Sequence, residues 1–533
     1  MGGKITKFIA ACSNYVDESM LRLSDSLGLS VQRLKIIVIS LLLLCLLAVS
    51  ASQITGAVHQ KDALANLRFA HNLSRHGVLS LNDSSPYLPS NAREPLPNIV
   101  TGLHLRFVDL VTPDLTYRDL LQGEGSRQVK LVNLLWVALG LVATALIANR
   151  LLSNFLLVPL SISLVGLFFF SVPMFVDTLY TELQTAVLML WASWYLLMAA
   201  SKGGRLNFIL AGLFLGLLSL TKAIFFYVSI LLFVLLFLRV VWKPLKGKFY
   251  RFRLFPLMMV AGFSLAVMPW MLRNKLQLGT FQLTQRGGRV MYVRAIKNNM
   301  NNSEIPGAVY FWGPSFYRHA SALLGFGAFP KDFQAGGRYQ RINREESDFK
   351  QSDLEAVQAG RPQNATSYMR QGGAEVNRIT IEATAKGIDD PYRYAESKVG
   401  DIGKRLILSD PWRHLSMTPL FMWRGIWSWP NEGVRILKST SSYVILKDVL
   451  ALVSYVSLLG LFLLGVIRRN AFFLSITVMP IGMILAYGFL SHNIPRYSSP
   501  AIPLMIISMA VLVDRISRHK SSLSDVNHFT MKS

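Results

Sequence analysis

The sequence predicts an all-α polytopic membrane protein, a transmembrane bundle of about ten to twelve spans with two long external loops that bear amphipathic helices. Three observations predict it. Of 533 residues, 52% are hydrophobic and only 16% charged, whereas charged residues supply about a quarter of an ordinary soluble chain. The apolar residues gather into charge-free runs near the roughly 20 residues that a helix needs to cross a hydrocarbon core. Lys and Arg collect in the short connections between these runs, the distribution that sets orientation. The formal charge of +25, from 55 Lys+Arg against 30 Asp+Glu, therefore fits anionic headgroups and lipid phosphates, and nucleic acid is not a predicted partner.

Residues 1–35 are polar and partly amphipathic, so the apolar run behind them reads as a retained signal anchor and not a cleaved peptide. Ten runs follow the length rule: 36–54, 131–148, 151–176, 183–201, 206–221, 223–238, 254–272, 449–467, 471–491 and 498–513. The basic clusters are Arg33 and Lys35, Arg150, Lys202 and Arg205, "RVVWKPLKGKFYRFR" (239–253), Arg468 and Arg469, and Arg515, Arg518 and Lys520. All fall on one side, taken as cytoplasmic, if the two long segments are external. The resulting organisation is a cytoplasmic segment 1–35, a bundle 36–272 that includes external loop 55–130, a large external region 273–448, C-terminal spans 449–515 and a cytoplasmic tail 516–533. With only Cys12 and Cys45, no disulfide framework or thiolate metal site is expected.

The first external segment opens with "HQKDALANLRFAHNLSRHG" (59–77). Leu64, Leu67, Ala70 and Leu73 recur there at helical spacing, which predicts an amphipathic helix along the membrane surface, ended by Gly77. The prolines of "PYLPSNAREPLPNIV" predict an extended return to the bilayer. In the second segment, helical patterns surround Leu354 and run from 374 to 408. "LSMTPLFMWRGIWSWP" reads as an interfacial or re-entrant helix, with Trp412, Trp423, Trp427 and Trp429 as interfacial anchors. The spacing of His59, His71 and His76 does not place all three on one helical face, so they read as surface residues and not metal ligands.

Carboxylates near the external ends of spans are few: Asp62, Glu94, Asp177 and Glu182, with Asp109, Asp114 and Asp119 further into the first loop. No His-Glu-x-x-His, Cys-x-x-Cys, P-loop or dinucleotide fingerprint occurs, which removes support for metalloprotease, ATP-driven and redox chemistry. The ordered set "DALANLRFAHNLSRHGVLS", "AREPLPNIV", "YTELQ", "LSLTKAIFF", "MPWMLRNKLQLGTF" and "HNIPRYSSPAIPL" resembles the GT-C superfamily of membrane glycosyltransferases. More narrowly, it resembles the polyprenyl-phosphate-sugar-dependent branch related to protein O-mannosyltransferases and lipid A aminoarabinose transferases (family 39/83-type). The similarity is spread from about residue 36 to 515.

The resemblance implies a GT-C-like bundle in a bacterial inner membrane, with both termini cytoplasmic and a periplasmic site. It further implies a polyprenyl (undecaprenyl) phosphate-linked sugar donor, a glycan, lipid or protein acceptor such as a cell-envelope glycan or lipopolysaccharide, and a catalytic carboxylate at the start of the first external loop, where Asp62 stands. Relatives often carry two neighbouring acids there, and Ala63 follows Asp62. Helix capping is the competing role for Asp62, although Ala65 occupies the position where a capping box needs Glu or Gln. One carboxylate suffices for direct inversion if it takes the acceptor proton, and cations neutralise the leaving phosphate.

Candidate phosphate ligands are Arg496, Arg93, Lys222 and Arg273. Cations near apolar spans are functional candidates by default, with snorkelling as the alternative. Secondary candidates are Glu94, Glu182, His492 and Tyr497. No cofactor is certain from the sequence, and a divalent metal stays open without a motif to support it. Two other classes compete. An O-antigen ligase or polymerase would use pyrophosphate-linked glycans and residues such as Arg286, Arg289, Arg294, Arg318 and His319. A lipid-linked-sugar transporter or flippase would show inverted repeats or broken helices in corresponding halves, and neither pattern is present.

Overall fold

A computed structural model describes residues 2–113, 115–242, 254–325, 330–343, 347–427, 429–430, 433–434 and 441–530. Most of the basic segment 239–253 and the end of the tail lie outside the described residues, as does Asp114. Among the described residues every regular element is helical. Among the same residues seven helices are long and apolar enough to cross a membrane, which makes the chain an integral membrane protein.

The order is α1 (Gly2–Leu27), α2 (Val31–Ser52), α3 (Asp62–His76), α4 (Pro95–Val111), α5 (Gly123–Lys130), α6 (Val132–Leu151), α7 (Leu157–Val165) and α8 (Pro173–Val176). Then come α9 (Glu182–Lys202), α10 (Arg205–Thr221), α11 (Ile224–Trp242) and α12 (Phe255–Leu278). The second long segment holds α13 (Gly288–Ile296), α14 (Glu304–Phe311), α15 (Ser315–Leu323), α16 (Ser347–Gln358), α17 (Tyr368–Ala385), α18 (Pro391–Ser409) and α19 (Pro411–Ile426). The chain ends with α20 (Ser441–Ile467), α21 (Ala471–Leu490), α22 (Pro495–Ser498) and α23 (Ile502–Thr530).

All ten apolar runs fall in helical segments, but two fall short of the expected spanning length: 157–170 and 205–221. The expected run 151–176 divides because a π-turn over Gly166–Phe170 and the bend before Pro173 interrupt it. Gly203 and Gly204, both at positive φ, open α10, and extended Lys222 closes it. The 17 residues of α10 reach about 25 Å at 1.5 Å per residue, less than the hydrocarbon core.

Spans without a hydrophobic drive between them associate by close packing at small residues. A Cβ on Gly212 would meet the Met259 carbonyl oxygen at 1.9 Å, and one on Gly262 the Ile209 carbonyl oxygen at 2.0 Å. The α10–α12 contact is therefore backbone against backbone.

Three expectations for the loop segments are corrected. The apolar face of α3 is spent on protein: Leu67, Phe69 and Ala70 are fully buried, packed with α4 and neighbouring loops, so α3 is not a helix resting on lipid. "PLPNIV" is not extended but begins α4, with Pro95 at the first helical position, where its missing N–H and fixed φ are suited. The predicted interfacial helix is α19, which carries Pro419 within it and packs on α21. Trp412, in its first turn, is 79% exposed, whereas Trp429, beyond its end, is 5% exposed, so Trp429 is a packing residue and not an interfacial anchor.

Replacing Gly262 with Leu is expected to push α10 and α12 apart at a cost of about 3 kcal/mol or more. The check is the thermal midpoint of detergent-solubilised protein by fluorescence-detected gel filtration, with Gly460→Leu, a site open to 4 Å, as the tolerated control.

Candidate functional site

The chain enters α3 through Lys61, a non-glycine residue in the left-handed region at φ 51°, a conformation held only by its surroundings. No side chain caps the helix there. Asp62 is the first helical residue, and its carboxylate turns away from its own helix end. It accepts from Arg496 Nη2 at 2.6 Å, Arg93 Nη1 at 2.9 Å and Arg286 Nη2 at 3.0 Å.

The three guanidinium groups come from three distant segments. Arg93 lies just before α4, which packs on α3. Arg286 precedes α13, whose first residue, Gly288, approaches the Glu396 carbonyl so closely that a Cβ would stand 1.8 Å from its oxygen. The Gln285 N–H donates to Asn91 O at 3.2 Å, tying the two long segments together beside the site. Arg496 stands in α22, where Pro495 begins a single turn between the last two spans.

Burial alone would push the Asp62 carboxyl upward, but Arg286, Arg93 and Arg496 outweigh it and hold it well below the usual carboxylate range. Such a carboxylate stays ionised and, while clamped, is a weak base.

Arg496 reaches further. Its Nε lies 3.6 Å from Glu182 Oε1, and its guanidinium stacks 4.3 Å from the Tyr180 ring centroid. Glu182, 2% exposed, accepts from Lys222 Nζ at 2.9 Å through the same oxygen, while among the described residues its Oε2 has no hydrogen-bond partner. Lys222 Nζ lies 5.4 Å from the Tyr497 ring. A chain of alternating charge, Asp62, Arg496, Glu182 and Lys222, thus crosses from the loop segments to the junction of α10 and α11.

These groups line a cavity of about 810 Å³. Its lining mixes charged groups, among them Asp62, Arg93, Glu94, Arg286 and Arg496, with apolar side chains from α11, α12 and the following loop, among them Ile224, Phe226, Met271 and Leu283. The cavity is therefore amphipathic in its lining. Among the described residues no three His, Cys, Asp or Glu side chains gather as metal ligands. Asp62, with three cations within 3.0 Å, is a poor donor for a divalent ion.

Most of the anticipated residues meet here. Asp62, Arg93, Glu94, Glu182, Lys222, Arg496 and Tyr497 all line the cavity. Arg273 does not; it donates to Ser90 O at 3.2 Å and Asn274 Oδ1 at 2.9 Å and stacks on Trp270. His492 is buried next to the cavity, its carbonyl accepting from Arg424 and its ring edge-on to Tyr497. Asp177 belongs to a structural knot in which it accepts from Lys130 Nζ at 3.1 Å and the Thr55 N–H at 2.8 Å. Asp109 pairs with Arg75, and Asp119 accepts from the Thr116 N–H.

Arg286 was legible only as one basic residue of a competing reading, and its pairing with Asp62 spans 224 residues. Tyr180, within "YTELQ", carries no charge that would single it out. Arg294, from the same basic group, is fully buried and donates to Gly488 O and His414 O, a structural role.

No protein-family model and no curated protein matches this chain. Among solved structures it is similar to the oligosaccharyltransferase AglB of the archaeon Archaeoglobus fulgidus in complex with an inhibitory peptide and a dolichol-phosphate. That match has TM-score 0.42 and 10% identity and covers 89% of this chain and 50% of that one. The apo form matches with TM-score 0.43, 10% identity and coverage of 92% and 52%. The form tethered to an acceptor peptide containing the NVT sequon matches with TM-score 0.42, 10% identity and coverage of 89% and 49%. The chain thus spans about half the length of these structures.

His59 corrects the surface assignment, being 4% exposed with Nε2 3.2 Å from Ser126 Oγ. Burial, aided by Lys130, lowers its pKa to about 4. The unfolded imidazole binds a proton near pH 6.5 and the folded one only near 4, so stability is fully present above 6.5 and falls as pH drops towards 4. Thermal midpoints measured across that window should decline by the equivalent of about 3 kcal/mol, and His59→Gln should flatten the decline.

Proposed function

We propose that the chain is an inverting glycosyltransferase that moves a sugar from a polyprenyl phosphate donor to a hydroxyl of a lipid, glycan or protein acceptor, at the membrane face where its two long segments meet. The observation that carries this reading is a single carboxylate, Asp62, clasped by Arg93, Arg286 and Arg496 on the wall of an amphipathic cavity. The apolar side chains of the lining suit a prenyl chain and the guanidinium groups suit its phosphate, which Arg binds bidentately. The ordered motifs resembling polyprenyl-phosphate-sugar transferases support the same donor class.

In this reading the resting clamp is exchanged during binding. The donor phosphate draws the three arginines toward itself, and Asp62, relieved of their field, becomes a competent base. Its carboxylate takes the proton of the acceptor hydroxyl as that oxygen attacks the anomeric carbon from the face opposite the phosphate. The bond between the anomeric carbon and the phosphate oxygen breaks, its electron pair leaves with polyprenyl phosphate, and the configuration inverts. Arg496 and Arg93 neutralise the charge that develops on the leaving group. Lys222 acts through Glu182, holding the carboxylate that orients Arg496.

A transfer assay with the full chain in nanodiscs, supplied in parallel with undecaprenyl monophosphate-linked and pyrophosphate-linked sugars, tests the reading. Turnover is expected only with the monophosphate donors; preference for pyrophosphate-linked glycan would favour a ligase. Asp62→Asn should lower kcat by about 10²–10⁴-fold while undecaprenyl phosphate binds at least as tightly, since the competing carboxylate charge is gone. Near-normal turnover by this variant would remove the assignment. Arg496→Gln should weaken donor binding and slow transfer together, by about 2–5 kcal/mol in kcat/KM.

A further inference from the structure

The transfer chemistry uses one oxygen of Glu182 and leaves the other idle. Glu182 Oε1 takes Lys222 Nζ at 2.9 Å and faces Arg496 Nε at 3.6 Å. Oε2 is buried and, among the described residues, has no hydrogen-bond partner. A second acceptor of the same cavity lining is in the same condition. Asn66, 4% exposed, donates through Nδ2 to Leu179 O at 2.7 Å, while its Oδ1 is buried without a partner among the described residues. Because a carbonyl oxygen can only accept, the bond to Leu179 fixes which end of the amide is nitrogen, and the orphan is the oxygen.

Both residues line the cavity, and the fold brings them to its chemical centre. Asn66 follows Asp62 by four residues on α3, so the two side chains are neighbours on one face of that helix. Leu179, which holds the Asn66 amide, lies three residues before Glu182, and Tyr180 between them stacks on Arg496, the ligand of Asp62. The two orphan oxygens thus belong to the two segments that meet at Asp62 and Arg496. Buried acceptors without donors are uncommon and costly. Their complement is a ligand that carries O–H donors. An ionised phosphate offers an acceptor nothing and a prenyl chain has no O–H, so the part of a polyprenyl-phosphate sugar that matches two acceptors is the sugar ring. Lys222 and Arg496 already meet the charge of Glu182, and a neutral hydroxyl suits its Oε2 better than a third cation.

We propose that Asn66 Oδ1 and Glu182 Oε2 form the subsite for the donor's sugar, each accepting a hydrogen bond from a hydroxyl of an uncharged ring. This inference rests on the transferase reading and deepens it, by naming the sugar class and the side chains that select it. The ring is held between Asn66 and Glu182, and its anomeric carbon is presented where Asp62 and Arg496 meet. A site built to bond a hydroxyl rejects an analogue without it far more strongly than an apolar pocket rejects a change of one methylene. Asn66 takes no part in proton transfer; it reads the sugar.

The test is competitive binding to the full chain in nanodiscs of bare undecaprenyl phosphate and of the same lipid bearing glucose, galactose, mannose, arabinose or glucosamine. At least one neutral sugar is expected to tighten binding about tenfold or more over the bare lipid, the scale of two hydrogen bonds. Asn66→Leu should bring that ratio to within about twofold of unity while the bare lipid binds as before. Arg93→Gln should weaken both lipids together and keep the ratio. Asn66→Ser, a smaller change that also removes the amide oxygen, should lose the ratio too and serves if the leucine variant does not survive gel filtration. Neutral-sugar lipids that bind the wild-type chain no tighter than the bare lipid, or a ratio unchanged in the Asn66 variants, as when water meets the two oxygens, overturn the subsite and leave the transferase reading standing. Tightest binding by the glucosamine lipid assigns the oxygens to an ammonium group and overturns the neutral-sugar assignment. Failure of the wild-type chain to bind any of these lipids sinks the transferase reading and the subsite with it.

Discussion

Arg496 donates to Asp62 at 2.6 Å, stands 3.6 Å from Glu182 and lines the cavity. It joins the loop carboxylate Asp62 to the buried pair of Glu182 and Lys222. A guanidinium among apolar spans is costly unless its charge is met, and here it is met twice, by a loop carboxylate and by one at the head of a span. Glu182 in turn would be an uncompensated buried charge without Lys222, so the chain of alternating charge extends until it reaches the helix junction. Opposite charges at roughly 4 Å interact by about 4 kcal/mol at an effective dielectric near 20, enough for each contact to hold its neighbour against desolvation.

This mutual dependence links the bundle to the segments between its spans. Asp62 and Arg93 arrive through the packing of α3 on α4, Arg286 through the seating of Gly288 against α18, and Glu182, Lys222 and Arg496 through the bundle itself. A carboxylate clasped by three cations is electrostatically satisfied but chemically quiet. A phosphate competing for the same cations would satisfy them equally well and leave the carboxylate free, so one charge balance can serve both the resting and the loaded site.

Much of the fold was legible because hydrophobic length is local information. All ten apolar runs fall in helical segments, α16 surrounds Leu354, and the pattern over 374–408 falls on α17 and α18, which part at 386–390. The misreadings share a cause. The path of "PLPNIV" and the seat of α3 depend on what packs against them, and the run 151–176 was too long to reveal the π-turn at Gly166–Phe170. His59 looked like a surface histidine because nothing adjacent in the chain announces the Lys130 and Asp177 knot that buries it.

Within the site, residue type and position in a motif were enough to single out Asp62, Arg93, Lys222 and Arg496, since ionisable groups beside spans are scarce. The same logic also selected Arg273, which serves Ser90 and Asn274 outside the cavity, and it set Arg286 among residues of a different chemistry. Pattern along a chain identifies which side chains are expensive to bury, because that cost belongs to the residue. It does not identify the partner that offsets the cost. Asp62 and Arg496 lie 434 residues apart, and no periodicity carries over that distance. Their meeting was settled by how the helices pack.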